Sequence, residues 1–564
     1  MDERAREVIA LWERGDSERA VFKTHWQQCA NYIQPDRADY ILTHTPGQKR
    51  MQWVYDSHPL WCLDQFVSGL HSMLTSPTLQ WFSLVTDDDR LNSIPRVKQW
   101  LDTASLTMYA LFNSPRHNFA SQTQEYYGDL GCIGTANMAV LESPRSGVLF
   151  STRHMKECVL FENEEDRIDT NVRHWQWTAK QAYQQWGKQL PEQIGKAAVD
   201  KPDTKFKFYH GVRPRKLRDV TRARESKHMA FESVYVCENG DGIISEGGFP
   251  EFPYMASRFS RITGETYGRS RGMIALPDVK MLNELMKIVV KGAQKLLDPT
   301  LMVPDEGFVL PIKTTPGSMI FYRTGLRPTD RIQPLETGAQ PQVGGDLMAG
   351  LRTSIERAFY VDLFRMPSDP TDPNSEGKGS TATYWMQRSR KEMLMLSPML
   401  ARLQTEYLGP LIDRVFAIMW RKSYAMKFGP GAYFPPPPPE LSGASFHVEY
   451  LSPIALAQKG SQLDSVGQLI DMQQRLTALN PTAPVMVLDV EGIMRGTARD
   501  LNAPAWTLRT PADMQAEAQA NAEAQAAMAN HGAIANLAGA AKDAGAAAKN
   551  FAVAGAQPPA QEAA

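Results

Sequence analysis

The sequence is short of cysteine, of unbalanced charge and of long apolar runs, and each shortage removes a class of protein. Its 564 residues include five cysteines, Cys29, Cys62, Cys132, Cys158 and Cys237. That odd number, without a C-x-x-C pair, argues against a disulfide framework or zinc ribbon and fits a reducing cytoplasm. The 61 Lys and Arg balance 62 Asp and Glu to a formal charge of −1, so a uniformly basic coat for nucleic acid is excluded. No stretch of 18 apolar residues occurs, and Met1 to Arg19 is charged and amphipathic, without the apolar core and cleavage site of an export signal. Neither membrane insertion nor secretion is expected.

Catalytic signatures are scarce as well. No H-E-x-x-H motif occurs, and Glu376-Gly-Lys-Gly-Ser-Thr381 lacks the leading glycine of a phosphate loop and has Gly379 where Ser or Thr belongs. The pairs His25 with Cys29 and His154 with Cys158 would share a helical face, as metal ligands can, but buried cysteines packing beside histidines is the plainer reading. The carboxylates Glu162, Glu164, Glu165, Asp166 and Asp169 read as a solvated charge run, with a two-metal nuclease site as the alternative.

What is present is an ordinary globular composition, 43% apolar and 9% aromatic, with length for about three or four domains. The first 145 residues show helical periodicity, clearest over 2–33, 57–74 and 97–112. Beyond Ser146 the pattern shifts to period two, as in Phe206, Phe208, His210 and Val212, and Asn239-Gly-Asp-Gly242 marks a hairpin. The fold class is α+β, predominantly α-helical.

Pro277-Asp278 is expected to open a helix to Leu297, roughly 32 Å long. On it Lys280, Lys287, Lys291 and Lys295 form a rail within about 80° of arc, opposite Leu282, Leu285, Met286, Val289, Ala293, Leu296 and Leu297. A solvated face is the ordinary reading of such a rail. Residues 300–345, rich in Pro and Gly, read as a small module. Asp346 then caps a second helix with Leu347, Leu351, Ile355, Phe359 and Leu363 every fourth residue, ending at Met366-Pro367. Residues 367–379 read as a mobile loop, and 380–424 as a helix of up to ~67 Å kinked at Pro398 and Gly409-Pro410. Pro435 to Pro439 read as a rigid spacer. Of the last 54 residues 24 are Ala, which fits either a frayed tail or helices associating through small residues.

This order of elements resembles the portal, or head-to-tail connector, of short-tailed bacteriophages. The likeness is carried by Trp26-Gln-Gln-Cys-Ala-Asn-Tyr-Ile-Gln-Pro35, by Tyr55 to Pro77 ending in LHSMLTSP, and by Ser380-TATYWMQRSRKEMLMLSPMLARLQTEYLGPLIDRVF to Phe416. The resemblance implies a non-enzymatic ring without cofactors, typically of twelve subunits, at one capsid vertex of the virion and assembled in the bacterial cytoplasm. Double-stranded DNA would pass through its axis. The large terminase and then tail adaptor or nozzle proteins would dock on it, beside the major capsid and scaffolding proteins. By position, 1–276 would be the wing, 277–298 and 346–365 the stem, 299–345 the clip, 366–379 the channel loop, 380–510 the long helix with the remaining wing, and 511–564 a crown or tail. The rail with Lys378 would line the DNA channel, and Pro367, Asp369, Asp372, Glu376, Gly377 and Gly379 would lie in the channel loop. The apolar stripe opposite the rail would serve subunit contacts. The competing readings are a monomeric nucleic-acid-processing enzyme using the acidic cluster near Glu164, and a cytoplasmic scaffold binding partners through its Pro-rich segment.

Overall fold

The computed structural model describes residues 2–298, 300–302, 333–334, 341–364, 397–450 and 542, apart from positions 44, 46, 93, 144, 145, 223, 224, 239–241, 442, 444 and 445. Its amino-terminal layer is helical: α1 (Glu3–Glu18), α2 (Ala20–Ile33), α3 (His58–Leu74), the short α4 (Asp89–Asn92), α5 (Pro95–Asn113) and α6 (Phe119–Ile133). Local chemistry sets several starts. Asp2 accepts from the Arg4 amide at 3.2 Å, and prolines in the first turns of α3 and α5 occupy positions whose N–H has no helical partner anyway. Two strands, β1 (Phe82–Thr86) and the longer β2 (Thr135–Ser143), interrupt the first 145 residues, a region expected to be mostly helical.

The period-two region builds two antiparallel sheets. Strands β2 (Thr135–Ser143), β3 (Gly147–Arg153) and β9 (Tyr254–Arg258) pair in the order β3-β2-β9, and β4 (Cys158–Glu162), β5 (Ile168–Thr178), β6 (Lys205–Pro214), β7 (Phe231–Cys237) and β8 (Ile243–Phe249) form a five-stranded meander. The expected hairpin is the β7–β8 pair; residues 239–241 of its turn lie outside the described set. Helix α1 lays Ala5, Val8 and Trp12 on one face of the meander, against Val159, Val172, Tyr209, Val234 and Val236. Helices α7 (Ala179–Trp186) and α8 (Glu192–Asp200) cover Trp175 and Phe208 on the other.

Helix α9 runs from Arg271 to Leu297, six residues earlier than Pro277 led us to expect. Its start is fixed by Ser270, whose hydroxyl accepts from the Met273 amide at 2.9 Å and donates to the Cys132 carbonyl at 2.7 Å. Glycines permit this approach. A Cβ on Gly134, which sits at φ +82°, would stand 2.6 Å from the Ser270 nitrogen, and one on Gly272 would stand 2.7 Å from the Cys132 oxygen. The interior Pro277 forfeits one helical hydrogen bond, but this buried junction holds the first turns regardless.

Strand β10 (Leu301–Met302) pairs antiparallel with β11 (Gln333–Pro334). The rest of the small module, 303–332 and 335–340, lies outside the described residues. Helix α10 (Pro341–Ala358) starts five residues before the expected cap at Asp346. It stops at Tyr360, whose φ of 57° breaks the helical run; α11 (Val361–Phe364) follows. The left-handed conformation costs a non-glycine residue roughly 1–2 kcal/mol, and the Arg271 guanidinium 4.2 Å from the Tyr360 ring centre compensates part of it. A strict four-residue repeat drifts around a helix of 3.6 residues per turn. Hence Ile355 and Phe359 are buried while Leu347 is exposed and Met348 takes the inward place.

Of the long carboxy-terminal helix, 380–396 lies outside the described residues. The remainder is α12 (Ser397–Leu403), a π-helical turn at Gln404–Leu408, and α13 (Gly409–Ala425). The π-turn absorbs the amide missing at Pro410, so the expected kink appears as a bulge in the hydrogen-bond ladder. Strand β12 (Phe446–Tyr450) returns to pair with β1. The Ala-rich segment from 511 onward, except Lys542, is outside the described residues.

A buried ion cluster ties these parts together. Arg258, at the end of β9 and 2% exposed, binds Glu162 at the end of β4 and reaches Glu406 in the π-turn at 2.7 Å; its amide also donates to Glu406 at 2.8 Å. Both sheets and the long helix therefore share one guanidinium. Arg258→Met should leave Glu406 without its cation and Glu162 with only the more distant Arg261 at 3.4 Å, at a cost of about 3 kcal/mol, read as a fall in the urea midpoint.

Acidification should also weaken the fold. His210 is stacked on Tyr235 at 3.9 Å and bonded to Tyr254 and Ser233 at 3.0 and 2.9 Å. Burial, followed by Arg173 and Arg153, pushes it down to about 3. Its neutral form stabilises the fold fully above the unfolded value near 6.5, and that contribution is lost as pH falls toward 3. Thermal melts at pH 7 and 5 should differ by about 2 kcal/mol from this group, and His210→Gln should flatten the difference.

Candidate functional site

Helices α9 and α10 form an antiparallel hairpin. Near one end the Ser354 hydroxyl donates to the Asp278 carboxylate at 2.7 Å, and farther out Gly344 lies under the Val289 side chain. Leu282 is fully buried and Leu285, Met286 and Val289 are partly buried against the core. The stripe opposite the lysines is thus spent largely inside the chain, against the expectation that it serves subunit contacts. Beyond Ala293 every described residue of α9 is exposed, so the hairpin leaves the body as a stalk.

The four lysines do share a face turned away from α10, but they are not equivalent. Lys280 donates to the Gln28 side chain of α2 at 2.9 Å. Lys287 is half-buried, 3.4 Å from the Glu284 carboxylate and 5.7 Å from the Tyr55 ring centre. Lys291 and Lys295 are exposed and have no partner among the described residues. Lys378 and the channel-loop positions Pro367, Asp369, Asp372, Glu376, Gly377 and Gly379 lie outside the described residues.

Two apolar flanks border the rail, and neither was expected from the sequence. On one side Ile274, Met281 and Ile288 recur every seven residues and are more than half exposed, with Leu347 of α10 also exposed. The seven-residue spacing was visible but was masked by the stronger stripe of leucines. On the other side the 51–57 segment is clamped to the hairpin. The Tyr55 amide donates to Asn283 at 2.7 Å, the Asn283 amide donates to the Trp53 carbonyl at 2.9 Å, and Arg352 pairs with Asp56 at 2.7 Å. Its outer surface shows Met51, Trp53 and Tyr55, with Trp53 67% exposed. At 100° per residue the rail lies between the two flanks, with α10 behind it.

The other candidates disperse. Glu162 and Asp166 are held by Arg258 and Arg261, and Glu164 and Glu165 face solvent. Among the described residues no three His, Cys, Asp or Glu are grouped to hold a metal ion. His154 caps a short 3-10 turn while Cys158 opens β4, so that pair shares no helical face. In the other pair, on α2, Cys29 is wholly buried, and burial pushes its thiol up to about 12.

One motif escaped the reading of the sequence. Gly268-Arg-Ser270-Arg-Gly272 has the spacing of a hydrolase nucleophile elbow. Ser270, however, is fully buried, and its hydroxyl is committed to Cys132 and Met273. It caps a helix.

No described helix is long and apolar enough to cross a membrane. Comparison with known proteins is consistent along the chain. The family described as bacteriophage head to tail connecting protein matches residues 5–508. The "Probable portal protein" of Bordetella phage BPP-1 is 27% identical over 485 residues, 84% of this chain and 83% of the relative. The "Portal protein" of Salmonella phage epsilon15 is 28% identical over 482 residues, 83% and 82% of the two chains. Since the match runs through both sheets, the stalk and the kinked helix, the chain belongs to the bacteriophage head-to-tail connecting protein family.

Proposed function

We propose that this chain assembles with copies of itself into a portal ring of twelve subunits that joins the phage capsid to its tail. The ring conducts double-stranded DNA along its axis during packaging and ejection and performs no catalysis. The observation that carries the reading is the stalk with two exposed apolar flanks on either side of a lysine face. A lone chain leaves both flanks in water, at a cost near 25 cal/mol per Å² of apolar surface. Head-to-tail packing lets the Trp53 flank of one copy cover the Ile274, Met281 and Ile288 flank of the next, and a heterologous contact of this kind closes into a ring when the rotation permits. With neighbours on both sides and α10 behind, the lysine face is the one left to line the channel.

On this reading α9 and α10 are the stem, the module between them is the clip, and the remaining described body is the wing. The 366–379 segment is the channel loop. The clip, drawn together at β10 and β11 and carried at the outer end of the stalk, is the docking point for the large terminase and afterwards for tail adaptor or nozzle proteins. The wing meets capsid and scaffolding proteins. Lys291 and Lys295 contact phosphates directly, while Lys280 and Lys287 are held back by Gln28, Glu284 and Tyr55.

Native mass measurement tests the assembly, since twelve chains of 63.1 kDa make a particle of about 757 kDa. Met281→Asp with Ile288→Asp should preserve the monomer's circular dichroism and abolish that particle. A sharp monomer from the unaltered chain across the micromolar range would overturn the reading.

The channel assignment has its own test. Lys291→Gln with Lys295→Gln should leave the ring intact and change the salt dependence of DNA retention, because fewer counterions are displaced. Normal packaging and retention at every salt concentration would mark the rail as a solvated face.

A further inference from the structure

The strongest local excess of charge outside the stalk lies in the loop between β6 and β7. Residues 213–228 hold seven Lys or Arg against two Asp or Glu, in a chain whose formal charge is −1. Two of these cations serve the fold. Arg213 binds Glu232 and reaches Glu7 at 2.6 Å, and Arg215 lies 3.5 Å from Glu246 and donates to the Gly247 carbonyl at 3.0 Å. Of the other five, Arg224 lies outside the described residues, and Lys216, Arg218, Arg222 and Lys227 are exposed.

The loop is a built surface. The Arg215 amide donates to the Ala230 carbonyl at 2.8 Å and closes its base. Asp219 accepts from the Thr221 amide and hydroxyl at 2.9 and 2.6 Å, which takes up one of the two acids in a turn. The second, Glu225, lies 3.8 Å from Arg222 with both side chains about 60% exposed, a pair worth little in water. Underneath, Gly248 of β8 admits the loop backbone, since a Cβ there would stand 2.2 Å from the Ser226 carbonyl oxygen. Among the described residues of the loop, four cations are therefore presented on a held scaffold with little opposing charge.

The composition of the exposed face selects the partner. Protein interfaces are depleted in Lys and centred on aromatic anchors, whereas this face keeps its lysines, has no Phe, Trp or Tyr between 213 and 228 and, among the described side chains, exposes one large aliphatic residue, Leu217. Phosphate backbones are held by Lys, Arg, hydroxyl and amide donors without a central apolar pocket. We propose that the β6–β7 loop is a sequence-independent contact for the phosphate backbone of duplex DNA that is not being threaded through the channel. This goes beyond the conduit reading and rests on a different element from the lysine rail.

Covalently closed plasmid separates the two surfaces, because a closed circle offers no end to thread. The assembled, full-length protein should bind it with a slope of log affinity on log salt of about −3 to −4, for four phosphate contacts. Replacing Lys216, Arg218, Arg222 and Lys227 together by Gln should remove most of that slope and weaken binding at least tenfold at 0.1 M salt. Lys216→Arg with Lys227→Arg should retain binding, and Lys291→Gln with Lys295→Gln should leave plasmid binding unchanged. Native mass and melting temperature of the fourfold variant serve as the folding control. Equal plasmid binding by the folded fourfold variant would overturn the proposal. So would tighter retention of polyglutamate than of plasmid at matched charge, which would assign the loop to an acidic protein surface.

Discussion

A single buried guanidinium decides how the parts of this chain are oriented. Arg258 ends β9, holds the end of β4 through Glu162 and grips the long helix at its π-turn through Glu406. The residues that follow it set the stalk. The Phe259 amide donates to Gly134 at the end of α6, Ser260 bridges to Arg269, and Ser270 caps α9. Removing two carboxylates and a guanidinium from water is expensive, and the attraction between them repays it only in good geometry. Such a cluster tolerates few alternative arrangements, so the direction in which α9 leaves the body follows from it.

The stalk turns that direction into a division of labour. Its inward stripe, with Leu282 and Val289, is consumed by packing on α10 and the core, and what remains outward is sorted by angle into apolar, basic and apolar strips. The Asn283 side chain makes the arrangement asymmetric, since it both donates to and accepts from the 53–55 backbone. One flank is therefore a bare helix and the other a tryptophan-bearing segment from the amino-terminal layer. Two unlike surfaces suit a repeating head-to-tail contact better than a two-fold one.

Much of this was legible in the sequence, and the rest was hidden for physical reasons. Periodicity located α3 and α5 because each buries one face along its own length, and β6 and the β7–β8 hairpin through alternating large residues and a glycine-rich turn, although β6 and β7 are covered on both faces. Strand β1 was missed because it is five residues long and its partner is far away in sequence. The start of α9 was misplaced because proline favours first turns, whereas the true start depends on a serine hydroxyl meeting a carbonyl of α6. The lysine face was visible on a helical wheel. Which of its ammonium groups are tied down was not, because Gln28 and Tyr55 come from other elements. The basic β6–β7 loop escaped notice because its charge cancels in the chain total and its cations do not follow a helical or strand period.

The pairing of β1 with β12 has a consequence in time. Phe82 meets Tyr450 and Thr86 meets Phe446, and the Trp100 indole donates to the Pro435 carbonyl at 3.1 Å. At roughly 5–20 residues per second of synthesis, an interval of about 20–70 s separates the emergence of the two strands from the ribosome. Throughout it β1 has an open edge, Trp100 lacks its acceptor, and the loop to be closed is the most entropically demanding kind. Completion of the fold therefore waits until the chain is synthesised past residue 450, so a nascent chain shorter than that is not yet a competent building block. A strand only five residues long limits the exposed edge during the wait.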